Sequence, residues 1–254
     1  MSFQDLTPKK FSRIPAVLKA VENPRAPQSV LNYMCGCDIS DPEAKKGLYT
    51  DEIVEPLLGI WFRSGTALDA LCQPFSFVIR ELKSDPPTLI EDEWFTIEGQ
   101  IARVLLADQL SRSCFRGTAE AFSFDYIGRE LVRDLVRTDK IEETLKLPPA
   151  LLYLLPWALA HSENISDLVR ACEIIDMAID AYPHFSLFEG RNKKAVDQHR
   201  QVLEKFGRYP QRNLEFGRIN TAEEEVWLIL FEPNNILHTG EVKSKLTVEN
   251  YKKI

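Results

Sequence analysis

Apolar residues recur along most of this chain at a spacing of about 3.6, one face of a helix, and nowhere convincingly at the spacing of about 2 that marks a half-buried strand. The clearest stretch is EDEWFTIEGQIARVLLADQL, 91–110, where Trp94, Ile97, Ile101, Val104 and Leu105 share a stripe. A second helix is predicted over 119–140. Its apolar stripe is Ala121, Phe122, Tyr126, Ile127, Leu131, Leu135 and Val136. Arg129, Arg133 and Arg137 recur on another face, which reads as solvated. LPPALLYLLPWALA, 147–160, is apolar all round and predicts a buried helix. Amphipathic helices follow over 165–185 and 192–207, the latter closed by Gly207 as a C-cap.

Capping chemistry marks the remaining elements. Asp41, Pro42 and Gly47 bound a short helix over 41–47. Thr50 and the acids after it open a helix that Pro56 kinks or delays. Thr66 and Asp69 stand at capping-box spacing before a helical run to about Lys83, ended by Pro86-Pro87. Thr221 and Glu224 repeat that spacing before a last apolar helix, EEVWLILFEP. Short loops between helices make neighbours antiparallel, so the expected fold is an all-α array of helical hairpins. Prolines 8, 15, 24 and 27 predict an extended, loosely ordered arm over 1–28. The helical domain is expected over 29–233 and a C-terminal tail over 234–254.

Composition narrows the function classes. The chain has 254 residues, net charge −7 and a pI near 5.3. Neither nucleic acid nor an anionic membrane is expected as its main partner. Cysteines at 35, 37, 72, 114 and 172 are too scattered for a disulfide framework and fit a reducing compartment. Cys35-Gly-Cys37 lacks a second close pair, so no metal site and no cofactor are expected. The N-terminal residues carry no apolar leader and no window reaches a membrane span, which predicts a cytoplasmic protein. Oligomeric state is not legible.

Three polar constellations can carry chemistry. In LLADQLSRSCFRGTAEAFSFD, Asp108, Arg112 and Arg116 would share a helix face beside Gln109. They read either as an arginine pair aimed at an anion or as an Asp–Arg network tying helices together. In LAHSEN, His161 and Glu163 lie in a helix–helix corner, as an acid–base pair or as helix caps. In KFGRYPQRNLEFGRINTAEE, Arg208, Arg212 and Arg218 stand among aromatics with Asn213. Guanidinium forks of this kind bind carboxylate or phosphate, or clamp the last helix through Glu215, Glu223 and Glu224. Nucleophile elbow, Walker loop, dinucleotide glycine pattern and HExxH are all missing.

DQLSRSCFRGTAEAFSFD, LPWALAHSEN and HRQVLEKFGRYPQRNLEFGRINTAEEE, in that order, resemble the DUF924 family over about residues 30–232. The resemblance implies a TPR-like all-helical fold and no established reaction. Carried over from the resemblance, the family's polar motif residues fall on Asp108, Gln109, Arg112, Arg116, Asp125, His161, Glu163, His199, Arg208, Arg212, Asn213, Arg218, Thr221 and Glu224. Trp61, Phe62 and Asp69 match an earlier, looser piece of the pattern. Leu110-Ser111 replaces a Phe-Pro pair, Asn164 replaces an Asp, and Gln211 stands where the family has a histidine.

Two functions follow as expectations. One is a small-molecule pocket for an anionic carboxylate or phosphate ligand, catalytic through His161, Glu163 and Asp108. Gln109, Arg112, Arg116, Arg208, Arg212, Asn213 and Arg218 would bind the ligand. The other is a scaffold that grips a peptide or protein in a concave face, with an ionic structural core.

Overall fold

The computed structural model describes residues 5–231, and no strand occurs among them. The observed architecture is all-α. The helices that build the site are α1 (Pro15–Glu22), α2 (Pro27–Cys35), α3 (Asp51–Arg63), α4 (Ile97–Leu105), α5 (Asp125–Leu135), α6 (Leu155–Ala160), α7 (Ile165–Ala181), α8 (Lys194–Phe206) and α9 (Ala222–Phe231). Consecutive elements pack on one another: α1 on α2, α4 on α5, α6 on α7 and α7 on α8. α6 touches α5, α7 and α8 at once, and every one of its residues is buried. That agrees with its all-round apolar sequence.

Expected helix starts and stops match the local chemistry at several points. The Asp41 carboxylate accepts from Glu43 N at 2.9 Å, with Pro42 at the first helical position. Thr221 and Glu224 form a reciprocal capping box: Thr221 N donates to Glu224 Oε2 at 2.7 Å, and Glu224 N donates to Thr221 Oγ1 at 3.2 Å. Gly207 closes α8 at φ +70°, a left-handed conformation that favours glycine.

Other expectations are corrected. The segment expected as an extended arm is helical over Pro8–Phe11 and α1, and continues into α2. Pro8, Pro15 and Pro27 occupy first-turn positions, where a missing N–H costs nothing, so they start helices. Phe11, Ile14, Val17 and Ala20 are buried in the core. The expected tail over 234–254 lies outside the described residues. Asp69 caps nothing, because its carboxylate is taken by Arg116. The stripe from Trp94 splits: a 3-10 turn (Asp92–Phe95) precedes α4, whose N-cap is Thr96 with Oγ1 accepting from Gly99 N at 3.0 Å. Phe122 likewise lies in a 3-10 turn (Ala119–Phe122) before α5.

α4 ends in a single π-helical segment, Leu106–Leu110, and resumes as α-helix over Ser111–Cys114. This wide turn carries Asp108 and Gln109 into the middle of the fold. Across from it, α5 passes close at Gly128. A Cβ there would meet Ala158 Cβ at 3.5 Å, Ala107 Cβ at 3.6 Å and Asp108 Cβ at 3.8 Å.

Candidate functional site

His161 caps the C-terminus of the buried helix α6. Its ring Nδ1 lies 2.7 Å from Asp108 Oδ1 on the π-helical segment. Asp108 is 1 % exposed. Burial alone would raise its pKa, but His161, Arg112 and Gln109 overrule that and hold the carboxyl down at about 2. Asp108 is therefore a carboxylate, and a carboxylate can only accept. The proton of the contact sits on His161 Nδ1, and Nε2 carries no hydrogen bond within the described chain.

His199 on α8 repeats the arrangement without a charge. Its Nδ1 donates to the Ala195 carbonyl at 2.8 Å, which leaves Nε2 as an acceptor. Complete burial, then the neighbouring charge of His161, push its pKa down to about 3, so the ring is neutral. The ring centroids of His161 and His199 are 5.8 Å apart, and Trp157 lies within 5.8 Å of both.

These side chains line a cavity of about 100 Å³. One wall is aromatic: Tyr33, Trp61, Phe62 and Trp157. Trp61 Nε1 donates to the Met34 carbonyl at 2.8 Å, which ties α3 to α2 along that wall. The other wall is polar, with Gln109, Arg112, Arg116, His161, His199 and Gln211. Phe11, from the N-terminal segment, also reaches it.

The guanidinium groups around the cavity already have partners. Asp125 lies between Arg112, with Nη2 at 2.7 Å from Oδ1, and Arg212, with Nη1 at 3.4 Å from Oδ2. Arg112 also meets Asp108 at 3.4 Å and donates to the Ala121 carbonyl. Arg212 donates to the His161 carbonyl at 2.8 Å. Both groups lie against the Phe122 ring, at 4.6 and 4.8 Å from its centroid. Arg116 donates to Asp69 through Nε and Nη2, at 2.7 and 2.9 Å, in a two-point fork.

Several expected site residues lie elsewhere. Glu163 accepts a fork from Arg218, 2.8 Å on each arm, and a bond from Tyr209 N at 3.0 Å. Arg208 forks onto Glu224 at 2.7 and 2.8 Å. Asn213 Nδ2 donates to Asn220 Oδ1 at 2.8 Å. None of Glu163, Arg208, Arg212, Asn213 and Arg218 lines the cavity: Arg208 reaches Glu224 of α9, Arg212 reaches Asp125 of α5 and the His161 carbonyl, and Arg218 reaches Glu163 in the turn after α6. Asp108, Gln109, Arg112, Arg116 and His161 do come together. Of the residues added by the structure, His199 was marked only by the family motif. Tyr33 and Trp157 look like ordinary core aromatics in the sequence.

Gln211 sits in a 3-10 turn (Pro210–Arg212) at the polar wall. It is 6 % exposed, and its Oε1 has no hydrogen-bond partner among the described residues. The cysteines are free, and no cluster of metal-ligating residues occurs among the described residues. No described helix is long and apolar enough to cross a membrane.

A comparison with curated proteins gives no match. Among solved structures, a protein of unknown function from Agrobacterium tumefaciens is similar. Its TM-score is 0.54 at 26 % identity, over 66 % of this chain and 87 % of that one. Residues 54–230 match the model of the family described as bacterial protein of unknown function, DUF924. That span holds all three polar motifs and the whole cavity wall except Phe11, Tyr33 and Met34. This chain therefore belongs to the DUF924 family.

Proposed function

We propose that the cavity binds a small organic molecule and that His161 exchanges a proton with it. The observation that carries this reading is the Asp108–His161 contact of 2.7 Å at the wall of an aromatic-lined cavity. Asp108 fixes the tautomer and orientation of the ring, the role an orienting carboxylate plays beside an acid–base histidine. Nε2 is then the atom that takes or gives the proton. A volume of about 100 Å³ suits a ligand with one ring.

The expected anionic ligand remains a second reading, because Arg112 and Arg116 both line the cavity. An anion there would share donors that Asp69, Asp108 and Asp125 already use. A peptide scaffold draws less support, since Arg208, Arg212 and Arg218 are occupied by acids of the chain itself.

The test is a thermal-shift screen of small metabolites, charged and uncharged, followed by product analysis on each binder. The expected outcome is a binder that the wild type turns over and that His161→Gln binds but leaves unchanged. Equal turnover by His161→Gln would remove the acid–base role, and no binder of any class would remove the cavity reading.

A further inference from the structure

Two buried polar atoms of the cavity-lining side chains Gln211 and Trp157 have no hydrogen-bond partner among the described residues: the acceptor Gln211 Oε1 and the donor Trp157 Nε1. A buried amide without a partner costs about 1–3 kcal/mol, so native proteins rarely leave one unless something outside the chain answers it. The local backbone does not need the Gln211 side chain: the turn at Pro210–Arg212 is closed by main-chain bonds, Arg212 N to the Tyr209 carbonyl at 3.1 Å and Asn213 N to the Pro210 carbonyl at 3.0 Å.

The groups beside it set the chemistry of the answer. His199 offers an acceptor at Nε2, because its Nδ1 proton is spent on the Ala195 carbonyl. His161 offers Nε2 as acceptor when neutral, because its Nδ1 proton is spent on Asp108. A primary amide offers one donor and one acceptor side by side, whichever way it is turned. Nearby, Arg112, Arg116 and Arg212 are matched by Asp69, Asp108 and Asp125. The formal charge of that set is zero, so it has no net call for an anion. The wall thus presents acceptors at the histidines and at the partnerless Gln211 Oε1, beside an unused donor at Trp157 Nε1, a set that calls for a ligand carrying both N–H and C=O groups. Its other side is aromatic, with Phe62 and Trp157 at a centroid distance of 5.1 Å and their ring planes tilted by 47°.

We infer that the ligand of this cavity is an uncharged, planar ring carrying adjacent N–H and C=O groups, a lactam or ureide edge, and that Gln211 pairs with that edge and selects it. The ring lies against the aromatic wall, the edge exchanges two hydrogen bonds with the Gln211 amide, and a further N–H of the ligand meets a histidine Nε2. Such a pairing satisfies the unpartnered amide at no cost in buried charge, whereas a carboxylate would face acceptor atoms at His199 and Gln211. The inference rests on the cavity reading above and gives it a substrate class.

The experiment uses the full chain and ligand-observed NMR with calorimetry at neutral pH. One set of probes is 2-pyridone, uracil and hydantoin. A second is benzoate, nicotinate and inorganic phosphate, and a third is zinc ion alone. The variants are Gln211→Leu, which removes the edge, and Gln211→Glu, which keeps its shape but removes the donor. The neutral ring probes are expected to bind the wild type, and to lose at least about tenfold in affinity in both variants, the scale of one hydrogen bond left unmade in a buried site. The melting temperature of ligand-free Gln211→Leu is expected to hold or rise, since the variant removes an unpartnered buried amide. A structural Gln211 would instead lower it. Binding of carboxylates or phosphate without the neutral rings overturns the amide-edge inference and leaves the cavity reading intact. So does binding of zinc alone, or neutral-ring binding that ignores both variants. Should Gln211→Leu fail to fold, the Gln211 role is overturned unless Gln211→Glu folds and shows the tenfold loss. If no probe binds, the amide edge and the cavity reading fall together.

Discussion

Two histidines face one cavity here, yet their Nδ1 atoms have different partners. His161 is backed by the Asp108 carboxylate, whereas His199 is backed by a backbone carbonyl and sealed in the core. Its folded pKa, at about 3, lies below the ordinary value of 6.5. Between those values the unfolded chain binds a proton that the folded chain refuses, so folding stability rises with pH across this window. Stability from His199 is full above pH 6.5 and is lost as pH falls toward 3. Denaturant melts across this range are expected to show it as a slope of up to about 1.4 kcal/mol per pH unit. His199→Phe should flatten that part of the curve, and an unchanged slope would refute the buried neutral ring. The chemistry of each residue was legible in the chain, but not which partner it would meet. Asp108 and Arg112 are four apart and do pair, as helical spacing predicts. Arg116, next on the same expected face, turns to Asp69 instead, because the helix ends at Cys114 and no longer holds it there.

At the scale of elements, most helices were legible from period and caps, and the departures cluster around the site. Nothing in LADQL announces a π-helical turn, because no residue type there forbids an ordinary one. Tertiary packing sets it, through the buried Asp108 and the close crossing of α5 at Gly128. The 3-10 turn before α4 has a clearer signature. It folds back so tightly that a Cβ on Gly99 would lie 2.0 Å from the Glu93 carbonyl oxygen and 2.8 Å from Trp94 backbone. Gly99→Ala is expected to cost at least about 1–3 kcal/mol despite the better helix propensity of alanine, since backbone must move to admit the methyl group. Thermal or urea unfolding reads this directly, and a stabilised variant would show that the turn has room. The prolines of the N-terminal segment carry the opposite lesson. Each permits either an extended chain or a first helical turn, and the burial of Phe11 and Val17 decided for the helix.

Across the whole molecule, the arginines expected on a ligand divide into two groups. Arg112 and Arg116 reach the cavity, while Arg208, Arg212 and Arg218 hold segment 208–221 onto the helices behind it. Arg212 is the deepest of these, at 4 % exposed, between Asp125 and the His161 carbonyl. Arg212→Ala would leave Asp125 with Arg112 alone and the His161 carbonyl without its donor, and is expected to destabilise the fold by about 1–3 kcal/mol, the cost of leaving a buried acceptor unsatisfied. A loss below about 1 kcal/mol in chemical denaturation would contradict that structural role. By itself the sequence determined the all-α class, the main caps, the family and the three polar motifs, because period, capping and motif spacing are properties of neighbouring residues. Only the tertiary structure decided which of those polar groups face a cavity and which neutralise one another. Ion pairs such as Arg116–Asp69 and Arg212–Asp125 join residues far apart in the chain. A buried charge takes whatever partner the packing brings within reach, and Gln211, to which packing brought none, is left facing the cavity.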